Sequence, residues 1–250
     1  MFFLYFLLLV EETFLTILLQ FPTFTSVQII TTEDGSHTIF SEQFNEIYHS
    51  THGAIQESRH VFIESGLRYV QSHQTTKEPL HIFEVGFGTG LNALLTLIEA
   101  EKTGQQIRYE TIEAFPVSLD LVKELNYTAL LENKKYRVPF HSMHLSTWNE
   151  DHNITPNFTF KKIRDSLINC KLQTENCKLI YFDAFAPQIQ PEMWTVEIMQ
   201  KMYDMLEPGG ILVSYCSKVS FQKALTEAGF SIEKIPGPPG KREMIRAKKN

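Results

Sequence analysis

The sequence predicts an α/β fold built on a mostly parallel sheet, and three observations carry that prediction. From Pro79 onward, short apolar runs alternate with amphipathic stretches, the rhythm of strands joined by crossover helices. The first of these runs ends in "FEVGFGTGLNALL" (Phe83–Leu95), a strand, a glycine-rich turn and the start of a helix. The last two runs, "FSIEKI" and "EMIRA", are joined only by "PGPPGKR", too short for a crossover helix, so they are expected to pair antiparallel.

The elements follow in order. Residues 1–26 are an apolar N-terminal extension in which Glu11 and Glu12 split the apolar runs below the roughly 20 residues of a spanning helix. No Lys or Arg occurs before Arg59 and no small-residue cleavage site is present, so neither export nor a membrane anchor is expected. An extra apolar helix or an upstream start codon is the plainer reading. Residues 27–79 form a lead-in: a β-hairpin from Val27 to Phe44 turning at Asp34-Gly35, then a helix over 54–71 with Ile55, Val61, Phe62, Leu67 and Val70 on one face. Residues 80–250 are the main domain. Its predicted strands are Leu80–Val85, Ile107–Glu113, Phe140–Leu145, Leu179–Phe182 and Ile211–Cys216. Its predicted helices are Leu91–Lys102, Val117–Leu125, Phe158–Ile168, Pro191–Leu206 and Ser220–Ala228.

Composition narrows the class. A chain of 250 residues, 43% apolar, can bury one large core. Its three cysteines have no C-x-x-C spacing, which indicates neither a disulfide framework nor a zinc ribbon and fits a reducing, cytoplasmic setting. The formal net charge is −6, yet residues 231–250 carry six Lys/Arg against two Glu, so the basic character is local to the C-terminus. The histidines (His49, His52 and His60, or His141 with His144) lack a Cys/His ligand pattern, and no metal is expected.

The glycine loop excludes two nucleotide families. Gly86, Gly88 and Gly90 read G-x-G-x-G, and Leu91 stands where a dinucleotide loop needs its third glycine; no Lys-Ser/Thr follows, as a P-loop requires. A structural strand-to-helix turn would explain the glycines alone. Glu113, at the end of the second strand, is placed to accept hydrogen bonds from both ribose hydroxyls, which favours a nucleoside-containing cofactor. In "LIYFDAFAPQIQPEMW" Asp183 falls at the carboxyl edge of the fourth strand, where open α/β sheets bind ligands. Its plainer reading is a turn cap.

Five parallel strands ending in an antiparallel pair resemble the Rossmann-like sheet of class I methyltransferases. Four segments in order, "FSEQFNEIYHSTHGAIQESRHVFIESGL", "FEVGFGTGLNALL", "YFDAFAPQIQPEMW" and "AGFSIEKIPGPPGKREMIRA", resemble the methyltransferase of tRNA 5-methylaminomethyl-2-thiouridine biosynthesis, over most of Gly35 to Ala247. The resemblance implies S-adenosylmethionine as donor, with no metal and no flavin, and the amine of 5-aminomethyluridine at the tRNA wobble position as acceptor. Glu84 would meet the cofactor's ammonium group, Gly86, Phe87, Gly88, Thr89, Gly90 and Asn92 would cradle it, and Glu113 would hold its ribose. Asp183 would be the catalytic base. An alkyl amine with a pKa near 10 costs about 4 kcal/mol to present neutral at pH 7, so some group must hold and take the proton.

Further residues enter on the same footing. Phe185 could stack on the uracil in the anticodon loop, and Tyr48, with His49, Ser50 and Glu57, would cover the cofactor. Lys241 and Arg242, with Arg246, Lys248 and Lys249, could contact phosphates of the tRNA partner; a solvated basic tail is the alternative. Relatives often carry Gly-Asp after the third strand where this chain has "LSTWNEDH", leaving Ser146, Thr147 and Asp151 all open as adenine contacts. In many relatives the domain is fused to a flavin-dependent oxidase. This chain shows no second glycine fingerprint, so it is expected to act alone on an amine handed over by a separate enzyme. Competing readings are an amine transferase of the polyamine-synthase type, a non-catalytic RNA-binding module, and, disfavoured by Leu91, an NAD dehydrogenase. The oligomeric state is not fixed by the sequence.

Overall fold

The structure, a computed structural model, describes residues 27–73, 78–131 and 134–250. The expectation for residues 1–26 lies outside them. The lead-in opens with β1 (Val27–Thr31) and β2 (His37–Ser41), an antiparallel hairpin turning at Asp34-Gly35, and adds a two-residue β3 (Glu46–Ile47). Asp34 makes the turn and ties it to the next element: its carboxylate accepts the Ser36 N–H at 2.9 Å and the Gln56 N–H at 3.0 Å. That element is one long helix, α1 (Ala54–Ser58), a π-helical segment (Arg59–Arg68) and α2 (Tyr69–His73). Its buried Val61, Phe62, Ile63 and Leu67 face the main sheet, and Phe62 meets Tyr181 at 5.0 Å between rings.

The main domain runs β4 (Leu80–Val85), α3 (Leu91–Thr103), β5 (Ile107–Ile112), α4 (Leu119–Glu124), α5 (Tyr127–Leu130) and α6 (Arg137–Leu145). It continues through β6 (His152–Thr155), β7 (Phe158–Ile163), β8 (Cys177–Phe182), α7 (Val196–Met205), β9 (Leu206–Ser214), α8 (Val219–Glu227), β10 (Ser231–Pro236) and β11 (Glu243–Lys248). The sheet order is β10-β11-β9-β8-β4-β5-β7-β6. The β7-β5-β4-β8-β9 block is parallel; β6 and β11 run against it, and β10, antiparallel to β11, runs with it again. The α/β fold and the closing antiparallel pair are as the sequence predicts. Among the described residues no helix is long and apolar enough to cross a membrane.

Two elements differ from expectation. Phe140–Leu145 is not a strand but the body of α6, where buried Phe140, Met143 and His144 recur at i, i+3 and i+4, the helical period. Pro139 is tolerated because it falls in the first turn, where the N–H has no partner to lose. Phe158–Ile168, predicted as a helix, instead begins with strand β7, whose burial alternates strictly: Phe158, Phe160 and Lys162 in, Thr159, Lys161 and Ile163 less so. The third parallel strand is therefore β7, and β6 is an extra edge strand.

The chain proceeds from β4 outward through β5 and β7, then returns to the opposite side of β4 with β8 and β9. The reversal lies between β4 and β8, and the crevice at their carboxyl ends is where such sheets bind ligands. Because β7 packs Phe160 against Phe87 (5.5 Å between rings) beneath the glycine loop, Phe160→Ala is expected to cost about 3–5 kcal/mol. Lys161→Ala, on the less buried face, should lie within about 0.5 kcal/mol of wild type; urea unfolding of both variants checks the pair.

Candidate functional site

A cavity of about 530 Å³ opens at that crevice, within the range of small-molecule sites. Its floor is the turn after β4. Gly86 (φ 91°) and Gly90 (φ 75°) adopt left-handed conformations that favour glycine, and a Cβ at Gly86 would stand 2.9 Å from the Asp183 carbonyl oxygen. Gly86, Phe87, Gly88, Thr89 and Asn92 line the cavity. Gly90 does not; a Cβ there would come within 2.7 Å of His144 Nε2, so its smallness serves the packing of α3 on α6. No side chain caps the N-terminus of α3, which leaves its first N–H groups available to a carboxylate.

Glu113 leaves the end of β5 toward the loop. Its carboxylate accepts the Gly88 N–H at 2.9 Å and the Phe115 N–H at 2.7 Å; burial pushes its pKa above the usual range, and these bonds offset part of that. Tyr48 covers the opposite side: its ring lies over Gly88, where a Cβ would be 3.0 Å away, and burial with the Glu113 charge pushes its phenol pKa up.

The fourth-strand loop is held by its own backbone. The Asp183 N–H donates to the Val85 carbonyl at 3.1 Å, Tyr215 Oη to the Ala184 carbonyl at 2.9 Å, and Trp194 Nε1 to the Phe185 carbonyl at 2.9 Å. The Asp183 side chain faces the cavity, where Asn92 Nδ2 donates to Oδ2 at 2.8 Å. Burial pushes its pKa up to about 7; the Asn92 hydrogen bond works against this, Glu57 adds to it and Lys241 opposes it. The tight loop places Phe185 in an aromatic group with Phe44 (4.8 Å) and Tyr48 (5.0 Å), and Phe44 in turn meets Phe115 (5.2 Å), which is 46% exposed at the mouth.

Several residues are not where the sequence reading put them. Glu84 is fully buried on β4 and does not line the cavity; its polar neighbours are Asn92, Tyr109 and Thr111. Burial first, and the Asp183 charge second, push its carboxyl well above the usual range, which favours its neutral form. Lys241 is no surface cation: it ion-pairs with Glu57 in the cavity wall and lies 4.2 Å from the centre of the Tyr215 ring. The C-terminal basic cluster is dispersed: Arg246 bonds Glu233 and stacks on Tyr69, and Lys249 caps carbonyls of Tyr203 and Leu206. Arg242 is exposed and outside the cavity wall.

Ser146, Thr147 and Asp151 do not reach the cavity either; Asp151 pairs with Arg108. The far end is lined by Asp165, Ser166, Leu167 and Ile168, which follow β7. Asp165 therefore takes the place of the acid expected after the third strand, and the Phe158/Phe160/Lys162 alternation was the signal for it. Phe44, Phe115 and Tyr215 were also missed, since each reaches the site only through folding. Burial favours the neutral form of two histidines: it lowers His49, in the cavity wall between Thr38 and Thr89, to about 4, and His144, outside the wall on the Thr89 carbonyl, to about 3. No group of three or more His, Cys, Asp or Glu among the described residues could hold a metal ion.

A naked-backbone loop that a Cβ would fill, a free helix N-terminus and an acid at the end of β5 fit a nucleoside bearing an amino-acid tail. The comparisons agree. The chain is 30% identical over 224 residues to the tRNA 5-methylaminomethyl-2-thiouridine biosynthesis bifunctional protein MnmC of Leptospira interrogans, covering 83% of this chain and 33% of that protein. It is 28% identical to the protein of the same name from Pseudoalteromonas atlantica, covering 83% and 32%. The chain thus spans about one third of the length of these relatives. Among solved structures, MnmC2 from Aquifex aeolicus superposes with a TM-score of 0.73 at 25% identity, over 96% of this chain and 77% of that one. Spermidine synthase from Thermotoga maritima shares the fold, with a TM-score of 0.51 at 12% identity over 90% and 69%. The family model for S-adenosyl-L-methionine-dependent methyltransferases matches residues 126–250, from α5 through the closing strands, and the chain belongs to that family.

Proposed function

We propose that this chain transfers a methyl group from S-adenosylmethionine to the primary amine of 5-aminomethyluridine, with or without a 2-thio group, at the wobble position of tRNA. The observation that carries the reading is Asp183: a cavity-facing carboxylate held by Asn92, beside the glycine loop and next to an aromatic group suited to a base. The names and coverage of the relatives support the tRNA substrate.

In this reading the α3 N-terminus and the glycine loop take the cofactor's carboxylate, Glu113 takes the ribose hydroxyls, and Asp165 with Ser166 takes the adenine. The bound cofactor supplies an electrophilic methyl group on a sulfonium. Asp183 receives the substrate ammonium and accepts its proton at a carboxylate oxygen, leaving the nitrogen lone pair free; an acid poised at about 7 is well matched to that exchange. Phe185, with Phe44 and Tyr48, stacks on a uracil that the anticodon loop already exposes. Exposed Arg242 is a candidate for a backbone phosphate. The amine comes from a separate aminomethyl-forming enzyme, and the work is cytoplasmic.

A second reading has one observation in its favour. Folding brings Glu46, Glu57 and Glu192 to the same cavity as Asp183, a density of acids that would suit a polycationic amine. Labelled S-adenosylmethionine offered with 5-aminomethyluridine tRNA and with polyamines decides between them: label in the tRNA nucleoside supports the proposal, and label only in polyamines overturns it.

Two variants test the residue roles. Asp183→Asn should lower kcat by about 10²–10⁴ while calorimetry finds cofactor affinity nearly unchanged; equal loss of both would make Asp183 a cofactor ligand. Gly86→Ala, strained and pressed on the Asp183 carbonyl, should weaken cofactor binding by about tenfold or more in the same calorimeter. Because the ionised form of Asp183 is the base, kcat/KM should rise as pH climbs through about 7 and fall away below it.

A further inference from the structure

The Lys241–Glu57 pair joins a half-buried lysine to a nearly buried glutamate in the cavity wall. Glu57 comes from α1 in the lead-in and Lys241 from the loop between β10 and β11, and both line the cavity with Asp183. Each partner is fixed. The Ser50 N–H donates to Glu57 Oε2 at 2.8 Å, while Lys241 lies over the Tyr215 ring, whose hydroxyl donates to the carbonyl of Ala184, next to Asp183. The loop carrying Lys241 is clasped to the lead-in. His60 Nε2 bonds the Pro236 carbonyl at 2.8 Å, and Gly240 lies so close to His52 that a Cβ would stand 2.4 Å from its ring.

We infer that Lys241 and Glu57 are positioning residues whose ion pair sets the charge state of Asp183 and leaves it, and not Glu57, to receive the substrate ammonium. This rests on the reading of Asp183 as the base. The groups facing Asp183 are Glu57 from α1, Glu84 from β4, Tyr109 from β5, Tyr215 from the end of β9, Lys241 from the β10–β11 loop and the neutral amide of Asn92 from α3. Glu46 of β3 acts on Tyr215 from farther out. Lys241 is the sole cation in this set, and burial pushes Glu84 toward its neutral form, so the balance between Lys241 and Glu57 is the adjustable part. In a water-poor cleft a charge of either sign left alone acts strongly on its neighbour. Loss of the Lys241 cation makes the Asp183 carboxylate harder to form, and loss of the Glu57 anion makes it easier.

The test reads Asp183 directly. Protein labelled with carbon-13 at aspartate carboxyl groups is titrated by NMR, the Asp183 signal being assigned by its loss in Asp183→Asn, and the pH profile of kcat/KM is recorded alongside. Lys241→Met should move the Asp183 midpoint and the rising limb to higher pH by about half a unit or more, Glu57→Gln should move both to lower pH, and Lys241→Arg should hold them near wild type. A midpoint unmoved in both charge-removing variants, or moved the same way in both, overturns the inference. If Lys241→Met fails to fold, the displacement expected for Glu57→Gln decides alone. Wild-type protein that methylates no tRNA at any pH while the NMR midpoints move as described overturns the functional reading and upholds the coupling.

Discussion

The pairing of β4 with β8 is the constraint on which the rest of this molecule depends. The two strands run parallel and adjacent at the point where the sheet order reverses, so the loops that leave their carboxyl ends part in opposite directions. The ladder ends with the Asp183 N–H donating to the Val85 carbonyl, which fixes the first residue of one loop against the last residue of the strand before the other. Gly86 meets the Asp183 carbonyl so closely that no side chain could stand between them. One junction thus opens the cavity, bares the backbone that a cofactor needs and aims a carboxylate across the gap.

The electrostatics of the cavity follow from how deeply its ionisable groups are buried. Asp183, Glu84 and Glu113 are all pushed toward their neutral forms by burial, and His49 and His144 are held neutral by the same cause acting on the opposite charge type. A site of this kind does not ionise freely; each charge is kept because a specific neighbour stabilises it. Asn92 does this for Asp183, and the Gly88 and Phe115 N–H groups do it for Glu113.

The sheet supplies the cofactor half of the cavity, and pieces outside the parallel block supply much of the rest. Tyr48, Phe44 and Glu57 come from the lead-in, and Lys241 from the C-terminal loop. These segments share one buried core with the parallel strands: Ile39, Phe62 and Met244 pack in the same cluster as Leu80 and Tyr181. The lead-in and the C-terminal strands are therefore part of the same folding unit as the parallel strands.

What the sequence determined by itself were the features that depend on local physics. The hairpin at Asp34-Gly35, the strand-glycine-helix unit at Phe83–Leu95, Glu113 at a strand end and the antiparallel closing pair all follow from turn chemistry, period and connection length. Local reasoning failed between Arg137 and Ile163, where two short apolar runs exchanged helix for strand, and with them went the acid at the far end of the cavity. Only the tertiary structure decided the partners of side chains distant in sequence. It buried Glu84 behind the loop, turned Lys241 inward onto Glu57, and gathered Phe44, Phe115 and Phe185 from three separate elements. A residue's type states which interactions it can make, but desolvation and the charges around it are set by chain segments far away, and those set what it does.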